Sequence, residues 1–404
     1  MQLTQSQTAA LEALLASADV PRLSLSGAAG TGKTTLIKEL VDSLPADTVV
    51  CTPTNKAAQV LCNKGIDATT FYKKFYILED TVDGKPRFIS CKKYLAEGGK
   101  GLPDGKLSWV GTLIIDEASM LTSRAINEMS RMCGQLILVG DHHQLPPVGD
   151  RDYPAGVFGS LNHTAELTEI MRQAEGNLIL TLADALRRDD PKVGKMLKHF
   201  EPEESFQDLV RRGAQMIAFT NKERQRINHV CRRVLGFTQP YPQRGDKMVV
   251  TNNYSEDLIN GTVITVEDFE WDQTKDFASI ICHRPSGGLG NFTMDMRSFI
   301  NDQIASQRFI LEEYLPVQHT GDETFMQATF AYCLTAHKAQ GSEWDDVVVF
   351  DQRSLIRKVA ENDPRGALSP DEFTRRWTYT AITRARKNLY WAPTWYAQVT
   401  ERGI

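Results

Sequence analysis

The chain has 404 residues, 41% apolar and 24% charged, and its 46 Lys and Arg against 51 Asp and Glu leave a formal net charge of −5. That length allows two or three domains at about 150 residues each, and the acidic balance excludes nucleic-acid binding by bulk charge, leaving only local placement of Lys and Arg. Seven scattered cysteines with no CxxC pair exclude a disulfide frame and a cysteine zinc site.

The first stretch, MQLTQSQTAALEALL, has neither a basic region nor a long apolar run, so neither export nor a membrane span is expected, and the chain reads as cytoplasmic. RLSLS (22–26) reads as a strand and TLIKELVDSL as a helix, with Gly27-Ala28-Ala29-Gly30-Thr31-Gly32-Lys33-Thr34-Thr35 between them. Glycines let backbone N–H groups turn around phosphate, the helix start adds partial positive charge, Lys33 a full one, and the Thr34 hydroxyl can hold Mg²⁺. TVVCTPT (48–54) is a second strand, and residues 72–108 read as a hairpin inserted around a DGKP turn. TLIID (112–116) is a strand buried on both faces, ending in Asp116-Glu117. Asp116 is placed for the metal shell and Glu117 to polarise the attacking water.

QLILVGD (135–141) adds a strand, and VGDHHQLPPV puts Gln144 where an amide can meet a γ-phosphate. His142-His143 lack a suitably spaced third ligand, which speaks against zinc. A second α/β series follows: QMIAFTN (215–221), TFAYCLTAH (329–337), DDVVVFD (345–351) and KNLYWAP (387–393), with a helix from NKERQRINHVCRRVLG capped by Asn221 and stopped by Gly236. Short strands with Gly and Asn turns over 245–325 suggest an inserted β-barrel. A last helix starts at LSPDEF, with Ser369 as cap and Pro370 in the first turn, and is expected to run to about residue 386. On it Phe373, Trp377, Ala381 and Arg384 share one face at spacings of four, four and three, while Arg386 turns away and only finishes the helix.

Taken together these motifs resemble the superfamily 1 helicases, specifically the superfamily 1B Dda and RecD-like group that moves 5′ to 3′ on single-stranded DNA. LTQSQTAAL resembles the Q motif, GAAGTGKTT motif I, CTPTNKAA and ATTFYKKF motifs Ia and Ib. IIDEASM resembles motif II, GDHHQLPPV motif III, TEIMRQ motif IV, TAHKAQGSEW motif V and YTAITRAR motif VI. The resemblance implies an α/β fold of two tandem RecA-like P-loop lobes. Lobe 1A would take 1–71 and 109–165, with a hairpin domain 1B at 72–108; lobe 2A would take 166–244 and 326–404, with an SH3-like domain 2B at 245–325.

It also implies ATP and Mg²⁺ as cofactors, Gln7 as adenine reader, and Gly341 beside the phosphate loop in binding ATP. Gln144 would sense the γ-phosphate, and Arg172 and Arg384 would reach it from the second lobe. Thr54, Asn55, Thr70, Phe71, Thr335 and His337 would hold DNA. Phe71 and Tyr72 depart from the Ile/Leu-His pattern of motif Ib, so Phe71 either stacks on a base or fills the first domain's core. The implied partners are single-stranded DNA, duplexes with a 5′ single-stranded tail and single-strand-binding or replisome proteins, for a monomer acting in replication, recombination or repair in a bacterial or phage-infected cell. The rival readings are a DNA-stimulated translocase with little unwinding, and a P-loop ATPase that remodels protein or acts on nucleotides.

Overall fold

A computed structural model describes residues 3–79, 87–147, 163–169, 177–252, 254–255, 258–284, 287–304, 325–362 and 368–393. The chain divides into two units, residues 1–177 with 359–376, and 178–358 with 377–404. Both are α/β, as two RecA-like lobes in tandem require.

In the first unit the elements run α1 (Gln5–Ala16), β1 (Arg22–Gly27), α2 (Lys33–Ser43), β2 (Thr48–Thr52), α3 (Asn55–Cys62), β3 (Ala68–Thr70), α4 (Phe71–Phe75), β4 (Tyr76–Glu79), β5 (Arg87–Ser90), α5 (Cys91–Ala96), β6 (Val110–Ile115), α6 (Ser123–Met129), β7 (Cys133–Gly140) and β8 (His163–Leu167). Six of these strands form a parallel sheet in the order β3-β2-β6-β7-β1-β8. Alternation along β6 and β7 shows why their sequences are continuously apolar. Leu113, Ile115, Leu136 and Leu138 pack into one layer, whereas Ile114, Ile137 and Val139 pack into the other with Leu23, Leu25 and Leu36. The expected hairpin is present as antiparallel β4 and β5; its DGKP turn lies outside the described residues.

The second unit continues with α7 (Leu178–Arg187), α8 (Val193–Lys198), α9 (Phe206–Arg212), β9 (Gln215–Ala218), α10 (Asn221–Val234), β10 (Lys247–Val250), β11 (Val263–Glu270), β12 (Phe277–His283), β13 (Leu289–Asp295), α11 (Met296–Ile304), β14 (Ala328–Phe330), β15 (Cys333–Thr335), α12 (Ala336–Ala339), β16 (Trp344–Asp351), α13 (Arg353–Glu361), α14 (Pro370–Ile382) and β17 (Ala385–Pro393); residues 359–376, the end of α13 and the first half of α14, group with the first unit. Its parallel sheet has the order β15-β9-β16-β17. An antiparallel sheet, β13-β12-β11-β10-β14, curls back on itself, because Met326 exchanges backbone hydrogen bonds of 2.9 Å each with Thr293 and Asp295. One core serves both sheets, joining Met216 and Val348 to Met248, Ile264, Ile280 and Phe330.

Three expectations are corrected. The strand read over 329–337 is two strands, β14 and β15, which serve different sheets; an apolar run does not reveal the break at Ala331-Tyr332. Thr220, not Asn221, caps α10, its hydroxyl accepting from Glu223 N at 3.1 Å. The last helix ends at Ile382, and residues 385–393 form β17 beside β16. Arg386 therefore sits on a strand, paired with Asp345 at 2.8 Å and 57% exposed.

Candidate functional site

The glycine loop, Asp116-Glu117 and Gln144 of the first unit lie at or just after the carboxyl ends of three adjacent strands, β1, β6 and β7, the edge where parallel α/β sheets bind ligands, whereas Thr54, Asn55, Thr70 and Phe71 follow β2 and β3. β1 runs straight into the glycine loop, where Gly30 and Gly32 hold φ of 79° and 80°, a region that side-chain-bearing residues rarely adopt. No side chain caps α2, so the first N–H groups of that helix face the loop unclaimed by a cap. Lys33 Nζ donates to the carbonyls of Gly27 and Ala28 at 2.8 and 3.0 Å, folding the ammonium into the cradle. Thr31 Oγ1 donates to Ala28 O at 2.9 Å and Thr34 is the second residue of α2.

Gln7 lies beneath this loop rather than open to a base. It is 1% exposed, its amide nitrogen donates to Thr31 O at 3.2 Å, and its oxygen accepts from Thr4 N at 3.0 Å in the capping box of α1. Those bonds give it a structural role in the loop; adenine reading rests on the resemblance alone.

At the end of β6, Asp116 is 8% exposed and its Oδ1 accepts from Glu117 N at 2.9 Å. Burial, and then the Glu117 carboxylate, push the Asp116 carboxyl up to about 7, against the pull of Lys33. Glu117 itself is held at φ 54° and ψ 35°, a left-handed conformation that is uncommon for a residue bearing a side chain. The carboxylates of Asp116 and Glu117 and the hydroxyl of Thr34 are oxygen donors of the kind that suits Mg²⁺. After β7, Gln144 is 3% exposed and its Oε1 has no hydrogen-bond partner. A buried amide oxygen left without a donor is the group expected where a water or phosphate-bound ligand belongs.

Structure also connects residues that the sequence left apart. Ser26, the last residue before Gly27, has its Oγ 2.6 Å from Nδ1 of His142, whose ring lies 4.0 Å from that of His143. Arg376 on α14 donates to His142 O at 2.5 Å, and Glu372 binds the same guanidinium. No periodicity links positions 26, 142 and 376, so only the fold reveals the set.

The candidate DNA residues share one local design. Thr54, Thr70 and Thr335 each end a parallel-sheet strand or the turn after it and cap a short helix, accepting from Ala57 N, Lys73 N and Lys338 N at 3.3, 3.2 and 3.4 Å. Accepting leaves each hydroxyl proton able to donate to a phosphate oxygen. Asn55 opens α3, and His337, in α12, has its imidazole held below its ordinary range by burial. Phe71 is settled as a core residue: it is 2% exposed and stacks on Phe75 at 5.0 Å, so it cannot stack on a base. Tyr72 is the exposed aromatic there, at 49%.

In the second unit Gly341 turns the chain at φ 70° after α12. Arg384 is 4% exposed and donates to Thr380 O, Ser342 O and Thr383 Oγ1 at 3.0, 3.2 and 3.0 Å. Arg172 lies outside the described residues. Among the described residues no helix is long and apolar enough to cross a membrane.

Comparison with known proteins gives the same motif set a context. A family profile described as AAA domain (AAA_30) matches residues 2–209. The ATP-dependent RecD2 DNA helicase of Deinococcus radiodurans is 24% identical over 398 residues, 91% of this chain and 46% of that protein. The ATP-dependent DNA helicase dda of enterobacteria phage T4 is 25% identical over 243 residues, 52% of each chain. The chain thus spans about half the length of these curated relatives. The crystal structure of Bacteroides Pif1 bound to ssDNA shares the fold, with a TM-score of 0.58 at 18% identity over 97% of this chain and 92% of that one.

Proposed function

The chain belongs to the AAA_30 family of AAA domains, and we propose that, like its relatives RecD2, Pif1 and Dda, it is a superfamily 1B helicase, an ATP-dependent 5′→3′ single-stranded DNA translocase and DNA helicase. One observation carries the proposal: the glycine loop, Asp116-Glu117 and Gln144 stand at the ends of three neighbouring parallel strands. That arrangement supports reading them as a phosphate cradle, a metal-binding carboxylate, a base and a sensor.

In this reading the loop N–H groups and the start of α2 receive the β- and γ-phosphates, and Lys33 exchanges its carbonyl partners for phosphate oxygens. Thr34 and Asp116 would hold Mg²⁺, which neutralises charge on the transferring phosphoryl group. Glu117 accepts the proton of the attacking water, and Gln144 Oε1 takes one of that water's hydrogen bonds. The roles of Arg172 and Arg384 toward the γ-phosphate, and of Gly341 in ATP binding, are carried by their motif positions. Thr54, Asn55, Thr70, Thr335 and His337 would grip the backbone of one DNA strand, a sequence-independent hold that suits a moving track. The SH3-like character of the curled sheet and a working monomer belong to the same proposal.

ATP turnover measured with and without oligo(dT) tests it. Single-stranded DNA is expected to raise turnover at least tenfold, and Glu117→Gln to lower it by about 10³-fold with ATP still bound. Turnover indifferent to DNA would instead favour a P-loop ATPase that remodels protein or acts on nucleotides.

A further inference from the structure

We infer that Arg376 is a positioning residue for hydrolysis, acting through the His142–His143 peptide to set the orientation of Gln144. This rests on the ATP-hydrolysing reading of the same site. Ser26, Asp141, His142, Gln144, Glu372 and Arg376 all belong to the first unit.

The connection centres on the His142–His143 peptide bond. Its carbonyl, His142 O, accepts from Arg376 Nη1 at 2.5 Å, and its amide, His143 N, donates to Asp141 Oδ1 at 3.0 Å. Asp141 is 1% exposed and its own carbonyl accepts from Gln144 N at 3.1 Å, so the turn is tied to a group that cannot swing into water. A peptide held at both its oxygen and its nitrogen has little freedom to rotate, and Gln144 follows one residue later.

Arg376 is suited to hold that carbonyl. It is 8% exposed, and Glu372, one helical turn earlier on α14, takes Nε and Nη2 at 3.0 and 2.6 Å. The carboxylate fixes the plane of the guanidinium and compensates its buried charge, leaving Nη1 aimed at His142. The His142 ring then reaches back to Ser26 Oγ at 2.6 Å, beside the first glycine of the phosphate loop. Sensor turn and phosphate cradle are thereby spaced by one chain of hydrogen bonds, Glu372 to Arg376 to His142 to Ser26. Because Gln144 Oε1 has no protein partner, its direction depends on the backbone that carries it. Arg376 touches neither nucleotide nor water in this assignment.

The test uses the full chain as wild type, Arg376→Ala, Arg376→Lys, Gln144→Ala and the Arg376→Ala/Gln144→Ala double variant. Arg376→Ala is expected to lower DNA-stimulated kcat about tenfold, with KM for ATP and affinity for ADP changed less than about twofold. Affinity for ADP with aluminium fluoride, which mimics the transferring phosphoryl group, should fall about tenfold. Arg376→Lys, which retains one donor for His142 O, should recover part of the loss. In the Gln144→Ala background the Arg376→Ala change should have no further effect.

Amide hydrogen exchange over residues 141–147 reads the clamp whether or not ATP is hydrolysed, and it should accelerate in Arg376→Ala while the melting temperature stays within a few degrees. Unchanged exchange, unchanged kcat, multiplicative losses in the double variant, or ADP and the aluminium fluoride complex weakened alike would each overturn the assignment. A wild type that hydrolyses no ATP, with exchange accelerated as described, would leave the clamp standing and overturn the ATPase reading instead.

Discussion

Arg384 donates three hydrogen bonds, two to Thr380 and Thr383 at the end of α14 and one that ties this end to Ser342, so its side chain has structural work besides any contact with phosphate. Arg384→Ala is therefore expected to destabilise the protein by about 1–3 kcal/mol. If the arginine also meets the transferring phosphoryl group, DNA-stimulated turnover should fall by about 10³-fold, far beyond what that destabilisation explains, with ATP still bound. Melting curves and turnover on the same samples separate the two effects, and near-normal turnover would remove Arg384 from the site. The helix phase read from the sequence did identify this arginine as buried: Trp377 and Ala381 are fully buried and Arg386 faces water. What the phase could not show was that the helix stops at Ile382, short of the expected end near 386, where Arg384 Nη1 donates to Ser342 O, 42 positions away along the chain.

Among the elements, α10 shows how much a polar helix can hide. Its sequence is dominated by charged and amide residues, yet Arg224, Gln225, Asn228 and Arg232 are buried. Arg232 forms a bidentate pair with Asp246, with distances of 2.9 and 2.8 Å, and lies 4.1 Å over the Phe330 ring. Within this set His229 Nε2 has no hydrogen-bond partner. Burial, then the charges of Arg232, Arg233 and Arg224, hold its imidazole down to about 4, with Asp302 opposing. The ordinary value is 6.5, so between about pH 6.5 and 4 the unfolded chain binds a proton that the folded chain refuses. Stability contributed at neutral pH is thus lost as the pH falls. Denaturant unfolding should show about 2 kcal/mol lost at this residue between pH 7 and pH 5, and His229→Gln should flatten that part of the profile. An equally steep profile in the variant would show that other groups are responsible.

For the whole molecule, the proposed direction of travel is the decisive property to measure. Strand displacement on duplexes carrying only a 5′ or only a 3′ single-stranded tail should proceed on the 5′-tailed substrate alone. Displacement confined to the 3′-tailed duplex would contradict the proposed polarity, and translocation with neither duplex opened would leave a motor without helicase activity. The two α/β units, the inserted hairpin and the second antiparallel sheet were legible in the sequence, because strand alternation, continuous apolar runs and glycine-bearing turns are local consequences of backbone geometry. Lys33, Asp116, Glu117 and Gln144 were legible as candidates, because their side-chain chemistry and position after a strand single them out without knowledge of the neighbouring strands; their roles are part of the proposed function. Tertiary structure alone decided that β6, β7 and β1 are adjacent, that Phe71 is core and Tyr72 surface, that Gln7 braces the phosphate loop, and that Ser26, His142 and Arg376 form one connection. The physical reason is separation along the chain. A periodic pattern records which face of an element is buried, but not which distant carbonyl or hydroxyl that face will meet.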